Sequence, residues 1–393
     1  MSISGSAEVP DSIHLNPERQ EKAREYARIR RVFIFLDLCL GIVLLLAWLL
    51  AGWSTRLRDW IGGFTGNPWL AVLVFGAVFG GVFTLLDLPL SYYTGFVLPH
   101  RYQQSNQDLK GWILDQAKSL VLSTLLGALL LEIIYYLLRT AGGAWWLWAS
   151  GFFLLFNVLL ANLAPVLLFP IFYKFTPLAE DDRVLGERLI ALAEKAGAPV
   201  MGVFRFDMSR RTKSANAGLT GLGRTRRIIL GDTLLDEFPP EEIETVVAHE
   251  LGHHSNNDIP LGIAVGAFTT LVGLYLASLA LNWGVKSFGF YSAADLAALP
   301  LFALCLSAFS LVTTPISNAY SRWRENLADE YALKLTRKGG AYASALRRLS
   351  DQNLAESDPP AWVEFTLSSH PALSKRIQRA ATYAESGEIL ERS

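Results

Sequence analysis

The chain has 393 residues, of which 51% are hydrophobic and only 18% are charged. A soluble domain of this length presents its apolar residues as periodic faces, whereas here they stand in blocks of about 20 residues or more with few charges. This composition excludes an ordinary soluble protein and predicts a polytopic, mainly α-helical membrane protein. A formal net charge of −1 gives no reason to expect a nucleic-acid partner.

A polar segment at residues 1–31 opens the chain. Its first half is Ser-rich and is expected to lack regular structure, while Glu18 to Arg31 has a helical and basic pattern. No short apolar core with a small-residue cleavage signal occurs here, so the first membrane span itself is expected to direct insertion. We interpret residues 1–31 as a cytoplasmic N-terminal segment.

Six apolar blocks follow, and each is long enough to cross a bilayer as a helix. Residues 32–173 contain four of them, at about 32–52, 69–98, 114–138 and 144–173. Residues 260–317 contain the other two, at about 260–284 and 296–317. Proline predicts a bend near Asp87-Leu88-Pro89 and a kinked or broken end of the fourth span at Pro165 and Pro170.

The distribution of Lys and Arg predicts the orientation of these spans. Basic residues are frequent in 1–31, between the second and third blocks, in 174–259 and after the sixth block, and they are sparse in the alternate loops. Cytoplasmic loops carry such an excess of positive charge. We therefore expect a multi-pass protein of the cell (plasma or inner) membrane whose polar regions lie on the cytoplasmic side.

The polar region 174–259 has a mixed pattern of helix and strand. Asp182 to Lys195 is an amphipathic helical pattern, and Val200–Asp207 and Arg226–Asp232 are short strand patterns. Between them, Ser214 to Gly223 is glycine-rich, as expected of a poorly sealed edge strand that accepts an extended peptide by main-chain pairing. An ordinary hairpin with a flexible arm fits this stretch equally well.

Within this region, His249-Glu250-Leu251-Gly252-His253 is the motif typical of a zinc site. Residues four apart share one face of a helix, so His249 and His253 can offer two imidazole nitrogens to one Zn²⁺, while Glu250 can reach a water on that ion. Such a motif also arises by chance on amphipathic helices. Three of the six His in the chain, however, lie between positions 249 and 254, which favours zinc.

A third ligand is predicted in the C-terminal region 318–393, where Glu325 and Asp329 are four residues apart in a helical pattern expected to end at Gly339-Gly340. Glu325 could complete a His₂Glu set, and Asp329 could accept the second N–H of a ligand histidine. Without the first motif, a solvated acidic helix face would be the simpler interpretation.

These residues suggest a hydrolytic mechanism. Zinc lowers the pKa of its bound water and polarises a carbonyl, so Glu250 could accept the water's proton and return it to the leaving amine. The negative oxygen that forms needs a further donor or cation, for which His370 and Arg376 are candidates. On chemistry alone, a single His and Arg in a polar region are more often surface residues.

Several motifs together resemble the type I CAAX prenyl protease family of integral-membrane zinc endopeptidases. They are Asp87 to Tyr93, Phe169 to Leu178, Ser214 to Ala217, the helix with His249 and His253, Glu325 with Asp329, and Ser369-His370-Pro371 with Arg376. The resemblance implies about six transmembrane helices around a chamber, with a small α+β zincin-like catalytic region. It also implies one Zn²⁺ bound by His249, His253 and Glu325, with Glu250 as base.

The resemblance implies, in addition, that Asn216 and Ala217 form a substrate-binding edge strand and that His370 and Arg376 lie beside the reacting carbonyl. The leading hypothesis is a gluzincin-type endopeptidase that cuts peptide or protein substrates at the cytoplasmic face, in CAAX-type C-terminal processing or membrane-protein quality control. Two alternatives remain. One is an intramembrane metalloprotease of the site-2 type, and the other is a non-proteolytic transporter or chaperone-like scaffold with a structural zinc.

Overall fold

The computed structural model describes residues 15–221 and 223–387, so the Ser-rich start predicted at the N-terminus lies largely outside the described residues. Polar caps explain where three of the long helices begin. The side chains of Asn16 and Asn67 accept main-chain N–H groups at the starts of two helices whose first residue is proline. The side chain of Asp108 accepts a main-chain N–H at the start of a third helix. The helices are α1 (Pro17–Leu50), α2 (Trp53–Gly62), α3 (Pro68–Tyr92), α4 (Leu98–Arg101), α5 (Leu109–Thr140), α6 (Trp145–Leu163), α7 (Phe169–Phe172), α8 (Arg183–Lys195), α9 (Asp232–Glu237), α10 (Pro240–Ser255), α11 (Asp258–Ser287), α12 (Leu299–Thr336), α13 (Gly339–Gln352), α14 (Ala361–Leu367) and α15 (Leu373–Ser386).

Six helical stretches in the described part of the chain are long and apolar enough to cross a membrane, and each overlaps one predicted block. In each stretch, at most 28% of the most apolar 18-residue window is buried inside the protein. Such low burial is expected of helices whose apolar surfaces face lipid. The stretches are Pro17–Leu50, Pro68–Arg101, Leu109–Thr140, Gly142–Phe172, Asp258–Ser287 and Leu296–Thr336.

Two of these stretches contain a π-helical turn, which is a common cause of a bend. The first lies at Tyr93–Val97, shortly after Pro89, and the second at Ala164–Leu168, which contains Pro165. The bend predicted at Pro89 is therefore displaced toward the C-terminus, because α3 continues through that proline to Tyr92. The irregular end predicted for the fourth span is confirmed.

A small sheet of four strands forms the centre of the polar region, in the order β1-β2-β4-β3. The strands are β1 (Phe175–Pro177), β2 (Val203–Phe206), β3 (Ala217–Thr220) and β4 (Arg227–Gly231). β2 and β4 are parallel, and the other two pairs are antiparallel. The glycine-rich stretch supplies an edge strand that is also one arm of a hairpin with β4, so it has features of both interpretations. The strand β1 was not predicted, because three residues carry no alternating pattern.

The helix α10 lies on this sheet and packs closely against α12. A Cβ atom built on Gly252 would stand 2.9 Å from the Cα of Ala328 and 3.0 Å from its carbonyl oxygen. Only a glycine allows the two backbones to approach this closely. Since α10 carries His249 and α12 carries Glu325, Gly252 sets the separation of the two halves of the predicted metal site.

The α12 helix is one continuous element from the membrane to the polar region, so the boundary predicted at residue 317 lies inside it. It ends at Thr336, because Arg337 adopts a left-handed conformation with φ 56°. The predicted end at Gly339-Gly340 is wrong, since Gly339 begins α13. Gly339 is required there because a Cβ atom would stand 2.6 Å from the carbonyl oxygen of Ala380 in α15.

We expect Gly252→Ala to destabilise the protein and to weaken metal binding. The added methyl would meet the backbone of α12, and such overpacking costs about 1–3 kcal/mol, against a gain of about 1 kcal/mol in helix propensity. Thermal unfolding in detergent and zinc titration measure both effects. The matched control is Gly266→Ala in α11, where a Cβ meets nothing within 4 Å. Equal unfolding temperatures and zinc affinities for the two variants would contradict the prediction.

Candidate metal centre

Three side chains of α10 and α12 meet at one point, as the sequence predicted. The Nε2 atoms of His249 and His253 are 3.3 Å apart. Glu325 places Oε2 at 3.3 Å from Nε2 of His249 and Oε1 at 3.4 Å from Nε2 of His253. The three ligand atoms lie within 4.8 Å of one another, which is close enough for a single metal ion.

The predicted contact between Asp329 and His249 is present. An oxygen of Asp329 lies 2.9 Å from Nδ1 of His249, and the Asp329 side chain is 2% exposed. The hydroxyl of Tyr342 donates to the same carboxylate at 2.5 Å and lies 3.1 Å from Nδ1 of His249. Burial raises the pKa of Tyr342 well above its usual value, so the phenol keeps its proton. These contacts fix the orientation of the His249 ring.

Arg376 lies behind this carboxylate in a buried position. Its Nε donates to Asp329 at 2.8 Å and its Nη2 at 2.6 Å, a bidentate pair of the strong kind. Burial alone would lower the pKa of Arg376, but Asp329 outweighs it and raises that pKa, so the guanidinium stays charged. Nη2 is 3.9 Å from the carboxylate of Glu325, which places Arg376 at the edge of the donor cluster.

His253 has a carboxylate partner that the sequence analysis missed. Oδ2 of Asp258 lies 2.6 Å from Nδ1 of His253. Arg324 donates to the other oxygen of Asp258 through Nε at 2.6 Å and also contacts it through Nη2. Each histidine of the cluster therefore has its own carboxylate behind it, one from α12 and one from the start of α11.

Glu250 and His370 are two further predicted catalytic residues, and both lie near the donor cluster. Glu250 is half-buried, and burial raises the pKa of its carboxyl above the usual range. His370 lies on the loop before α15, with Nε2 at 3.3 Å from Oε1 of Glu325 and a side chain that is 60% exposed. His370 is thus adjacent to the donor cluster and also accessible.

Asn216 and Ala217 lie at the start of the edge strand β3, which packs beside α10. Asn216 is exposed, and its carbonyl oxygen accepts a hydrogen bond from the main chain of Gly231 at 2.9 Å. The main-chain groups of Ala217 therefore point the other way, since their direction alternates along a strand, and the N–H of Ala217 donates to Oδ1 of Asn216 at 2.9 Å. An exposed edge beside the motif helix suits an extended peptide.

Membrane helices combined with a His-His-Glu cluster beside an open strand edge define the class of integral membrane metalloproteases. Residues 3–174 match the family description "CAAX prenyl protease N-terminal, five membrane helices", and residues 179–384 match "Peptidase family M48". The chain belongs to peptidase family M48. It is accordingly a multi-pass membrane metalloprotease.

Similar proteins are found in bacteria, plants and yeasts. The chain is 30% identical to the Bacillus subtilis protein named "Uncharacterized metalloprotease YhfN", over 96% of this chain and 91% of that one. It is also 30% identical to the Arabidopsis thaliana "CAAX prenyl protease 1 homolog", over 93% and 88% of the two chains. The crystal structure of S. mikatae Ste24p superposes with a TM-score of 0.84 at 26% identity, over 95% of this chain and 91% of that chain.

Proposed function

We propose that the protein is a zinc endopeptidase in which His249, His253 and Glu325 hold one Zn²⁺ and Glu250 acts as general base. The observation that carries this proposal is the donor cluster itself, in which two imidazole nitrogens and a carboxylate converge. Oε2 of Glu325 is buried and accepts no hydrogen bond from the described residues, although His249 is 3.3 Å away. Arg376 Nη2 is 3.9 Å from this oxygen, beyond hydrogen-bond distance, and a buried carboxylate oxygen without a hydrogen bond favours a bound cation.

The donor set fits zinc, since two histidines and one glutamate form an established catalytic set with room for a further ligand. When bound, zinc supplies a Lewis acid that polarises the substrate carbonyl and lowers the pKa of water. Glu250 follows His249 directly on α10, so its carboxylate is a candidate acceptor for the proton of a water held at the cluster. Glu250 takes the proton of the attacking water and delivers it to the leaving amine nitrogen.

Two further side chains support the reaction in different ways. His370 is accessible beside the cluster, and we assign it the donor role toward the oxygen that becomes negative in the transition state. Arg376 has two of its nitrogens committed to Asp329, so we assign it a positioning role: it keeps Asp329 charged and aligned with His249. The role assigned to His370 agrees with the place that the family resemblance implies. Arg376, which the resemblance implies beside the reacting carbonyl, is instead assigned a place behind Asp329, because it is buried there and bonded to that carboxylate.

The substrate in this proposal is a peptide or a protein segment that pairs with the edge strand at Asn216 and Ala217. The excess of Lys and Arg in the polar regions supports a catalytic region on the cytoplasmic side of the plasma or inner membrane. CAAX-type C-terminal processing and membrane-protein quality control both suit that location. Family membership disfavours the alternative of a non-proteolytic transporter or scaffold with a structural zinc.

The test is a cleavage assay with the purified protein in lipid nanodiscs and a quenched fluorescent peptide. We expect cleavage that a chelator abolishes, together with one zinc per chain by elemental analysis, and recovery when stoichiometric zinc is added. A protein that binds zinc but cleaves no peptide or unfolded membrane protein would support the scaffold alternative. Cleavage that persists in chelator-treated, metal-free protein would remove the metal cluster from the reaction.

A further inference from the structure

The motif from Phe169 to Leu178 has no part in the proposed reaction, and it lies where the fourth membrane-crossing stretch joins the sheet. That stretch ends at Phe172, after the π-helical turn at Ala164–Leu168, and β1 begins at Phe175. A membrane helix thus passes into the sheet of the polar region with almost no linker. The junction therefore lies at the boundary between the bilayer and water.

A cavity of about 520 Å³ lies beside this junction. Its volume is within the usual range for a small-molecule site, which is about 300–1,000 Å³. Part of its lining is apolar and comes from the fourth membrane-crossing stretch, including Val166 and Ile171. Among the described residues that line it, four are basic and one is acidic, namely Lys118, Lys174, Arg210, Arg227 and Asp207. The lining thus combines membrane-helix residues with an excess of positive charge.

The one carboxylate of the lining does not neutralise this charge. Oδ1 of Asp207 accepts the main-chain N–H of Lys174 at 2.7 Å, and Oδ2 is 3.8 Å from Nη1 of Arg210. The Arg210 side chain is 62% exposed, and its Nη2 donates to the carbonyl oxygen of Phe172 at 3.5 Å. Lys174 is exposed as well. Two accessible cations therefore line the cavity at the end of the membrane helix.

Lys118 supplies a third cation from a neighbouring membrane helix. It lies in the third turn of α5, and its Nζ donates to the carbonyl oxygen of Ile171 at 3.1 Å. A lysine near the end of a spanning helix extends its ammonium group to the level of the lipid headgroups. Its acidic neighbour Asp115, at 3.5 Å, is also bound by two nitrogens of Arg211. Lys118 is thus placed where a phosphate group of the bilayer would lie.

The apolar part of the lining favours a lipid over a soluble anion. Val166 and Ile171 are exposed, and so is the adjacent Leu167. Exposed apolar side chains at the end of a spanning helix face acyl chains when the helix is in a bilayer. A soluble phosphate would leave this apolar surface unused, whereas a phospholipid would contact both parts of the lining.

We propose that this cavity binds the phosphate-bearing headgroup of an anionic phospholipid. Lys118, Lys174 and Arg210 bind the headgroup, and the acyl chains lie along Val166 and Ile171. Basic pockets beside membrane helices are a known mode of headgroup recognition. The bound lipid holds the end of the fourth membrane-crossing stretch together with β1, which pairs with β2. The inference requires neither zinc nor peptidase activity, so its failure would leave the proposed function untouched.

The test measures lipid binding to the purified, delipidated protein in detergent by native mass spectrometry. The probes are phosphatidylglycerol and phosphatidylcholine with identical acyl chains. We expect the wild type to bind phosphatidylglycerol about 10-fold more tightly, because basic residues attract its net negative charge and repel the ammonium group of choline. The double variant Lys174→Glu, Arg210→Glu should lower this ratio to near one.

The matched control is the double variant Arg183→Glu, Lys334→Glu. Both side chains are more than 60% exposed in the polar regions and lie outside the cavity lining, so the ratio should stay at the wild-type value. A wild-type ratio near one would overturn the proposal. A preference that persists in the cavity variant, or one that the control loses equally, would also overturn it, since the selectivity would then come from another site or from overall charge.

Two further measurements separate a lipid from a soluble anion and do not depend on variants. Soluble glycerol phosphate should displace phosphatidylglycerol only at concentrations at least about 100-fold higher, because it lacks the acyl chains. Equal affinity would replace the lipid by a soluble anion and overturn the proposal. Phosphatidylglycerol with a photoreactive acyl chain should label residues 165–175 of the wild type, as identified by peptide mass spectrometry. Labelling confined to other segments would equally contradict the proposed site.

Discussion

Replacing Glu250 by glutamine is expected to lower kcat by about 10²- to 10⁴-fold, the range that general base catalysis contributes. The amide has nearly the same shape as the carboxyl group but cannot accept the proton of water. Because Glu250 is not one of the three converging donors, zinc content should stay at one per chain. Peptide cleavage under single-turnover conditions, with zinc quantified on the same samples, measures both quantities.

The matched control for this experiment is Glu241→Gln on the same helix. Glu241 lies in the first turn of α10, is exposed, and contacts Arg188 at 3.3 Å. Its replacement should change kcat by less than about twofold, since exposed ion pairs contribute little. Normal cleavage by Glu250→Gln would show that the proton acceptor lies elsewhere, and loss of zinc from that variant would show a ligand role for Glu250.

Replacing Glu325 by alanine is expected to weaken zinc binding by roughly 100-fold. Four-ligand zinc sites bind with about 10–16 kcal/mol, so one protein ligand supplies about 3 kcal/mol, and 1.4 kcal/mol corresponds to a factor of ten. Competition with a chromophoric chelator of known affinity measures this change in zinc affinity. A measurement of zinc per chain at high zinc concentration would not detect it, because a weakened site would still be filled. Peptide cleavage should be lost at zinc concentrations that saturate the wild type.

Glu330→Ala is the control for any general effect of removing an acidic side chain from α12. Glu330 lies on the same helix outside the donor cluster, 4.0 Å from Lys334. Its variant should bind zinc as the wild type does. Unchanged affinity in Glu325→Ala would remove Glu325 from the ligand set, and the family resemblance would then have misidentified the third ligand.

Much of this centre could be predicted because local spacing determines it. His249 and His253 share a face of α10 whatever the rest of the chain does, and Glu325 and Asp329 share a face of α12 in the same way. The sequence pattern alone could not show that the two faces meet. The need of a catalytic zinc for a third ligand made Glu325 a candidate, the family resemblance implied the same set, and the close packing of Gly252 against Ala328 now provides the physical reason.

The residues that were missed act through tertiary contacts with no local signal. Tyr342 reaches Asp329 from a different helix. The side chain of Asn353, just after α13, accepts the main-chain N–H of Ala215 at 2.8 Å, 138 positions away in sequence. Asp258 could have been considered, because a carboxylate five residues after a ligand histidine lies near enough to contact it across a helix end. The C-terminal end of α12 was wrongly predicted at Gly339 for a similar reason, because Gly339 allows close packing against α15 instead of ending a helix.

The two halves of the metal cluster are separated along the chain by two membrane-crossing helices, α11 and most of α12. During synthesis, His249 and His253 leave the ribosome well before Glu325. If these three residues bind the metal as proposed, the nascent polypeptide has an incomplete ligand set until the last pair of spans has been inserted and the C-terminal helices have docked. Correct insertion would then be a precondition for peptidase activity.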